Sequence, residues 1–283
     1  MLGLRNGLVK NLPNNKPTIY IAIPTGPPKA YALLYMLASL KNLDYPPSKI
    51  SVNFGVTHHG SANSEAFLQQ LKQLLSASNF KCKTSIQTTH PTQEDFDRWG
   101  SYYGVILNVH ALRLSFLQSK TQYFWLLGGD NPPPRGTLKT LLKTKGDVVS
   151  ASVNQRSSKK KEYKINQKLC YPIYWQYIWK PKDIPMDLEP SLRDTLRTAW
   201  TEFSFLDTPP RKDGERFIHN CVFGSGCSLV RREVLEYVGY YLGSGGTHSE
   251  DLHFCNLVNL RGFDTVLDLD TRCLHFDEDG TVY

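Results

Sequence analysis

Acidic side chains occur at two places in this sequence where a carboxylate could bind a cation or accept a proton. The first is Asp130, which follows the apolar run YFWLL at residues 123–127 in the sequence GGDN. A residue that ends an apolar strand of an open α/β sheet lies in the crevice where such sheets bind ligands. A carboxylate is also a hard oxygen ligand that suits Mg²⁺ or Mn²⁺. We therefore expect Asp130 to contact a divalent cation; the alternative is that Asp-Asn-Pro is only a turn.

The second place is the acidic pair Glu250-Asp251, which follows the glycine-rich run GSGGTHS at residues 243–249. A carboxylate at the mouth of a site can accept a proton from a hydroxyl group within hydrogen-bond reach, and a flexible loop before it suits a lid. The alternative is structural, because Ser249 is a suitable N-cap and acidic residues favour the first turn of a helix.

His275 is a third candidate, in the sequence LHF near the end of the chain. Imidazole is a borderline ligand that accepts Mn²⁺, and the histidine stands at the end of a predicted strand. A histidine flanked by apolar residues is equally well explained as part of a core. The other seven histidines show no metal-ligand spacing.

The elements that must position these residues alternate between strand and helix. The β-branched apolar run at 18–23 predicts a buried strand, and apolar residues at helical spacing predict a helix over 30–43. Further strands are predicted at 50–56, 123–127, 147–153, 265–268 and 272–276, and further helices at 64–75, 105–117, 137–143, 232–238 and 250–259. This alternation is typical of a parallel sheet with right-handed crossovers.

The composition indicates a globular protein. The chain has 283 residues, of which 40% are hydrophobic, so it can bury a substantial core. No run reaches the roughly 18–20 apolar residues of a membrane span, and the basic start lacks the apolar region of a secretory signal. The six cysteines have no CxxC spacing, and we expect free thiols. Free thiols and the lack of an N-x-S/T sequon favour a cytoplasmic location.

The net charge of +7 includes a sharp basic cluster, RSSKKK, at residues 156–161. It fits an RNA-binding or peripheral membrane patch, or simply a solvated loop, and we expect no specific nucleic acid partner. The cluster belongs to a weakly periodic, basic and aromatic segment at 154–218, which we expect to join the two halves of a single domain. Its aromatic stretch, YPIYWQYIW at 171–179, suits a platform for sugar rings as well as a packed core.

Four segments, taken together and in order, resemble the GT-A glycosyltransferases, particularly the family-two group of inverting enzymes. They are PTIYIAIPTGPPKAYALLYMLASLKNLDYP, YFWLLGGDNPPPRGTLKTLL, GSGCSLVRREVLEYVG and SEDLHFCNLVNLRGFDTVLDLDTRCLHF. The resemblance covers residues 17–276. It implies an α/β fold with a mixed, mainly parallel, Rossmann-like sheet flanked by helices. After a tail at 1–16, a single GT-A domain would span 17–283, with a nucleotide-sugar-binding half at 17–153 and an acceptor half at 154–283.

The resemblance also implies a reaction: transfer of a sugar from a nucleoside diphosphate sugar to a hydroxyl group of a glycan, lipid or protein acceptor. Negative charge builds up on the leaving diphosphate, and a divalent cation, Mn²⁺ or Mg²⁺, neutralises it. By the resemblance, Asp130 and His275 bind this cation, Asp251 is the general base, and Glu250 bonds to the acceptor. The nucleotide pocket would be lined by Pro24, Thr25 and Gly26 after the first strand, and by Gly129 and Asp130, of which Asp130 would contact the metal or the diphosphate.

The sequence departs from the family pattern in two places. Gly128 stands where the family has the first acidic residue of its DxD motif, which puts the ribose contact in doubt. No acidic residue follows the second strand, which leaves two alternatives: an unusual nucleotide, or recognition of the base through His58 or the main chain. Arg113, on the helix before the GGDN strand, could face the diphosphate or be a surface charge.

These departures support a rival hypothesis from another class: a catalytically silent GT-A-like domain that binds a sugar nucleotide, a glycan or a protein partner. A nucleotidyltransferase is less well supported, because TGPPK is a poor phosphate loop. The sequence leaves open retaining against inverting chemistry, the donor, the acceptor and the oligomeric state.

Overall fold

The central sheet contains strands from both halves of the chain. The structure, a computed structural model, describes residues 16–99, 103–156, 164–165, 168–172, 174–176, 216–224, 226–240, 250–278 and 282. Its strands are β1 (Ile19–Thr25), β2 (Ile50–Thr57), β3 (Lys83–Thr89), β4 (Tyr123–Leu127), β5 (Val148–Arg156), β6 (Lys164–Ile165), β7 (Lys168–Pro172), β8 (Tyr174–Gln176), β9 (Phe217–His219), β10 (Cys221–Phe223), β11 (Cys227–Arg231) and β12 (Thr265–Cys273).

Helices connect these strands. In the described part of the chain they are α1 (Leu33–Lys41), α2 (Ala62–Ala77), α3 (Gln93–Trp99), α4 (Tyr103–Gln118), α5 (Thr137–Lys143), α6 (Arg232–Tyr237) and α7 (Glu250–Leu260), with 3-10 helices at Pro27–Ala32 and Pro47–Lys49. None of these described helices combines the length and the hydrophobicity that crossing a membrane would require.

The strand order and directions bring the ends of several strands to one edge of the sheet. The order is β3-β2-β1-β4-β11-β5-β12-β9, with β7 pairing with β5, β6 with β7, and β8 with β10 in a separate ribbon. Strands β3, β2, β1 and β4 are parallel, as are β5 and β12, whereas β11 and β9 run antiparallel to their neighbours. The carboxyl ends of β1–β5 and β12 therefore share one edge of the sheet, which we call the carboxyl edge. The mixed, mainly parallel sheet predicted from the sequence is confirmed.

Both faces of the sheet are buried, which explains the apolar strands. In β1, Ile19, Ile21 and Ile23 belong to the core that includes residues of α1, α2 and α5. Tyr20 and Ala22 belong to the opposite core, which includes residues of α4, α6 and α7. A strand buried on both faces reads as a continuous apolar run, as residues 18–23 do.

The structure differs from the sequence prediction in local detail. The helix predicted at 30–43 begins earlier, as a 3-10 turn at Pro27, because proline suits the first position of a helix. The two strands predicted at the end form one strand, β12, whose register shifts between Asp268 and Arg272. Buried Asp268 closes this bulge by accepting bonds from the backbone amides of Asp270 and Thr271.

Several sequence predictions lie outside the described residues. These are the basic cluster after Arg156, the glycine-rich run at 243–249, and Tyr177 and Trp179 of the aromatic stretch. Among the described cysteines, Cys82, Cys221, Cys227, Cys255 and Cys273 are free thiols.

Candidate functional site

Asp130 lies at the centre of the candidate site. Strand β4, YFWLL, is buried and ends at Leu127, and the chain then turns so that the amide of Asn131 donates to the carbonyl of Gly128 at 2.9 Å. The carbonyl of Asp130 accepts a bond from the amide of Phe276 at 3.0 Å. The turn after β4 is thus tied to the segment after β12, and the Asp130 side chain is only 7% exposed.

Three side chains converge on one carboxylate oxygen, Oδ2 of Asp130. Lys29 forms an ion pair with it through Nζ. The hydroxyl group of Tyr31 lies 3.2 Å away and Nε2 of His275 lies 3.3 Å away. Lys29 and Tyr31 come from the 3-10 turn after β1, whereas His275 comes from the segment after β12. The structure therefore brings Asp130 and His275 together, as the resemblance implies.

Electrostatics keep this carboxylate ionised. Burial by itself raises the pKa of Asp130, but the hydrogen bond from His275 and the positive charge of Lys29 outweigh it and lower the pKa to about 2. The pKa of Tyr31 is raised, first by burial and then by the negative charge of Asp130, so Tyr31 remains a hydrogen-bond donor. At neutral pH the site holds a buried anion of the kind that binds cations.

Asn131 accounts for the glycine at the first acidic position of the motif. Its side chain is buried, and its amide nitrogen donates to the carbonyl of Leu274 at 3.3 Å. A Cβ atom on Gly128 would lie 2.1 Å from Oδ1 of Asn131, and one on Gly226 would lie 2.8 Å from it. The Asn131 side chain therefore fills the space that side chains at 128 and 226 would need.

The end of β1 packs directly against the turn after β4. A Cβ atom on Gly129 would lie 2.9 Å from Oγ1 of Thr25 and 3.0 Å from the carbonyl oxygen of Pro24. Only a glycine allows this close approach without displacing the backbone of β1. The residues predicted to line the nucleotide pocket at Pro24, Thr25 and Gly129 are thus neighbours of Asp130, and Gly26 continues the same segment.

His58 follows β2 at the same carboxyl edge. Its Nε2 atom lies 3.2 Å from Oε2 of Glu65, its ring centre is 5.3 Å from that of His90, and its amide donates to the carbonyl of Thr89. Buried Asn108 of α4 joins the ends of β2 and β3. Its side chain donates to Thr57 Oγ1 at 2.7 Å and accepts from Thr89 Oγ1 at 2.6 Å. Asn108 is a positioning residue that sequence inspection missed.

Arg113 does not join this group, which corrects its expected role at the diphosphate. Its guanidinium group is buried, and Nε donates to the carbonyl of Leu235 at 3.0 Å. That carbonyl lies in the last turn of α6, where a helix has unpaired carbonyl groups and favours positive charge. Arg113 therefore joins α4 to α6 inside the core.

The acidic pair begins α7, which ends at Leu260, shortly before β12 begins at Thr265. A helix joined so closely to the strand that follows it typically runs antiparallel to that strand, and we expect its first turn to lie towards the carboxyl edge. Asp251 is half-buried in this turn. Of Glu250, only the backbone is described.

The residues of the site fit a divalent cation in part. Asp130 supplies an ionised oxygen and His275 an imidazole nitrogen, a pair suited to Mn²⁺. Within the described ranges, no group of three or more His, Cys, Asp or Glu side chains is arranged to hold a metal ion. Two protein ligands suit a cation such as Mg²⁺ that is bound by one or two side chains together with phosphates. Lys29, however, contacts the same oxygen.

Comparison with known proteins identifies the fold. No family model matches the chain, and no curated protein matches it in sequence. The structure is similar to the mannosyltransferase PcManGT from Pyrobaculum calidifontis, solved with GDP-Man and Mn²⁺, with a TM-score of 0.51 at 15% identity over 92% of this chain and 57% of that one. It is also similar to S. aureus TarS in complex with UDP, with a TM-score of 0.51 at 11% identity over 90% of this chain and 59% of that one.

The chain thus has a GT-A-type glycosyltransferase fold. It spans less than three fifths of each of these two solved chains.

Proposed function

We propose that this protein is a glycosyltransferase that moves a sugar from a nucleoside diphosphate sugar to a hydroxyl group, with Mn²⁺ or Mg²⁺ and with inversion by direct displacement. The acceptor would be a glycan, a lipid-linked or a protein-linked hydroxyl. One observation carries the proposal: an ionised, buried carboxylate, Asp130, meets His275 at the carboxyl edge of a GT-A-type fold.

Asp130 and His275 would hold the cation. When bound, the cation supplies a Lewis acid for the departing diphosphate, on which negative charge increases as the glycosidic bond breaks. Tyr31 keeps its proton and orients the carboxylate through the bond to Oδ2. The backbone tie from Phe276 to Asp130 holds the two ligand segments together.

The nucleotide would lie across the ends of β1 and β2. Pro24, Thr25 and Gly129 pack closely together beside Asp130, and the nucleotide would bind at this end of β1 largely through main-chain groups. His58, held by Glu65 and His90, would face the base in place of the missing acidic residue.

Asp251 would accept the proton of the acceptor hydroxyl, and Glu250 would bond to the acceptor. Direct displacement needs a base on the acceptor side, and a carboxylate in the first turn of α7 is suited to this role. Two neighbours in fold support the donor class: PcManGT was solved with GDP-Man and Mn²⁺, and TarS with UDP.

A panel of UDP-, GDP- and dTDP-sugars tests the proposal. We expect one donor, in the presence of Mn²⁺, to raise the melting temperature of the wild type but not of Asp130→Asn, and to be hydrolysed slowly without acceptor. Donor binding without hydrolysis or transfer to any acceptor would favour the silent binding domain. Binding of no donor would contradict both.

A further inference from the structure

Lys29 and a bound cation would compete for the Asp130 carboxylate. Lys29 Nζ contacts Oδ2 of Asp130, the same oxygen that His275 Nε2 approaches to 3.3 Å. An ammonium group cannot be a metal ligand, because it has no lone pair. It would also repel a divalent ion bound to the same carboxylate, since like charges at contact distance repel strongly in a poorly solvated site. A cation that binds Oδ2 of Asp130 must therefore displace Lys29 from this oxygen.

The side chain of Lys29 can move while its backbone stays fixed. Its backbone is fixed in the 3-10 turn Pro27–Ala32 by a bond from its amide to the carbonyl of Gly26 at 2.9 Å. Its side chain is 41% exposed, whereas that of Asp130 is 7% exposed. A lysine carries a compact charge on a flexible four-carbon stem. The ammonium group can thus leave the carboxylate while the turn that carries it stays in place.

We infer that Lys29 is a diphosphate-binding side chain that is paired with Asp130 while the donor site is empty. The inference rests on the proposed function. A nucleoside diphosphate bound to the cation would bring two phosphates close to Asp130 and so offer Lys29 new anionic partners. Lysine commonly binds phosphate as a point charge.

This exchange couples the cation to the nucleotide. The cation alone must displace Lys29 from Asp130, whereas cation and diphosphate together give Lys29 a new partner. Each should therefore bind more tightly in the presence of the other, and by the same factor, since coupling between two sites is reciprocal.

The test measures Mn²⁺ binding directly, by the electron paramagnetic resonance signal of free Mn²⁺, with metal-free protein in the presence and absence of UDP, GDP or dTDP. Lys29→Met removes the charge but keeps the stem. We expect it to bind Mn²⁺ alone about 5- to 150-fold more tightly than the wild type, the usual range of coupling between sites. In the presence of Mn²⁺, Lys29→Met should also bind the nucleotide more weakly than the wild type does, and the coupling between Mn²⁺ and nucleotide binding should be lost.

Two control variants make the comparison specific. Lys29→Arg keeps the charge and should keep the coupling. Lys49→Met changes another half-exposed lysine in a proline-initiated 3-10 turn, but at the amino end of β2, and should bind Mn²⁺ and nucleotide as the wild type does. Melting curves establish that each variant is folded.

Unchanged Mn²⁺ affinity in Lys29→Met would overturn the inference. So would tighter Mn²⁺ binding with unchanged nucleotide affinity, because Lys29 would then be only a counter-ion. Failure of the wild-type protein to bind UDP, GDP and dTDP alike would contradict the proposed function itself, and the diphosphate role with it. Nucleotide binding that is insensitive to Lys29→Met contradicts this inference alone.

Discussion

The carboxamide of Asn131 occupies the space in front of Gly128: a Cβ atom at position 128 would lie 2.1 Å from Asn131 Oδ1. The glycine at the first position of the motif is therefore a packing requirement of this chain. The turn keeps its shape through Asn131, and the second aspartate, Asp130, keeps its place beside His275.

Gly128→Asp, which restores the acidic residue of the family pattern, should destabilise the protein. We expect the free energy of unfolding in urea to fall by about 1–3 kcal/mol, the usual cost of overpacking. Asn131→Ala in the same chain should recover part of the loss. Gly136→Asp is the matched control, because a Cβ atom there meets nothing within 4 Å and the residue is the N-cap of α5. Equal stability of Gly128→Asp and wild type would contradict the packing explanation.

The Asp130 carboxylate should make stability depend on pH in metal-free buffer. Its pKa is lowered from an ordinary value of 3.8 to about 2. The ionised carboxylate therefore adds its full contribution to the free energy of unfolding above pH 4, and this contribution is lost as the pH falls through about 2. At about 1.4 kcal/mol per pKa unit, the contribution is about 2 kcal/mol. Asp130→Asn should be less stable than wild type by about this amount at pH 7, and the difference should shrink below pH 4. A difference independent of pH would exclude the ion pair as its source.

Donor binding and turnover should require Mn²⁺ or Mg²⁺, because Asp130 and His275 are the proposed ligands. His275→Ala removes a proposed ligand and should weaken Mn²⁺ binding by at least about 10- to 100-fold, the usual loss for a residue that only supports a metal ligand, when measured by calorimetry with donor present. His219→Ala changes an exposed histidine paired with Asp264 and should have no effect. Full activity in excess EDTA would refute metal dependence.

Asp251→Asn separates catalysis from helix capping. If Asp251 is the general base, kcat should fall by about 10²–10⁴ while donor affinity and melting temperature barely change. If Asp251 only stabilises α7 by its interaction with the helix dipole, the substitution should lower the free energy of unfolding by about 0.3–1 kcal/mol and leave turnover normal. Glu233→Gln, in the first turn of α6, measures the dipole contribution alone. Wild-type turnover in Asp251→Asn would leave Glu250 as the next candidate.

Arg113→Met should reduce stability without changing donor affinity. The variant leaves the buried carbonyl of Leu235 without its charged donor, a loss of about 1–3 kcal/mol in the free energy of unfolding. Arg231→Met removes an exposed arginine 3.5 Å from Asp147 and should cost less than about 1 kcal/mol. Weaker donor binding in Arg113→Met would restore its expected role at the diphosphate.

The sequence predicted the central strands well, because burial on both faces leaves a clear pattern. Strand β3, with the sequence KTSIQTT, was missed, since it lies at the sheet edge with polar, largely exposed residues. Strand β9, with the sequence FIH at the other end of the sheet, was missed as well, because three residues are too few to show a period.

The site was only partly predictable. Asp130 and His275 could be proposed because each follows a strand. Lys29 and Tyr31 could not, because a 3-10 turn decides where their side chains point. The role of Arg113 depended on the face of α4 that meets α6, and local sequence does not carry that information.

The tie between the turn after β4 and the segment after β12 has a consequence for biosynthesis. Strands β1 to β4 emerge from the ribosome before β12, and Leu274, which bonds to Asn131, is made 143 residues after it. His275 and Phe276, which bond to Asp130, follow Leu274 directly. A growing chain can pair β1 with β4 and still have no partner from β12 for Asp130. The ligand pair is assembled only when β12 docks, so a nascent or truncated chain with a well-formed first half would have no complete cation site.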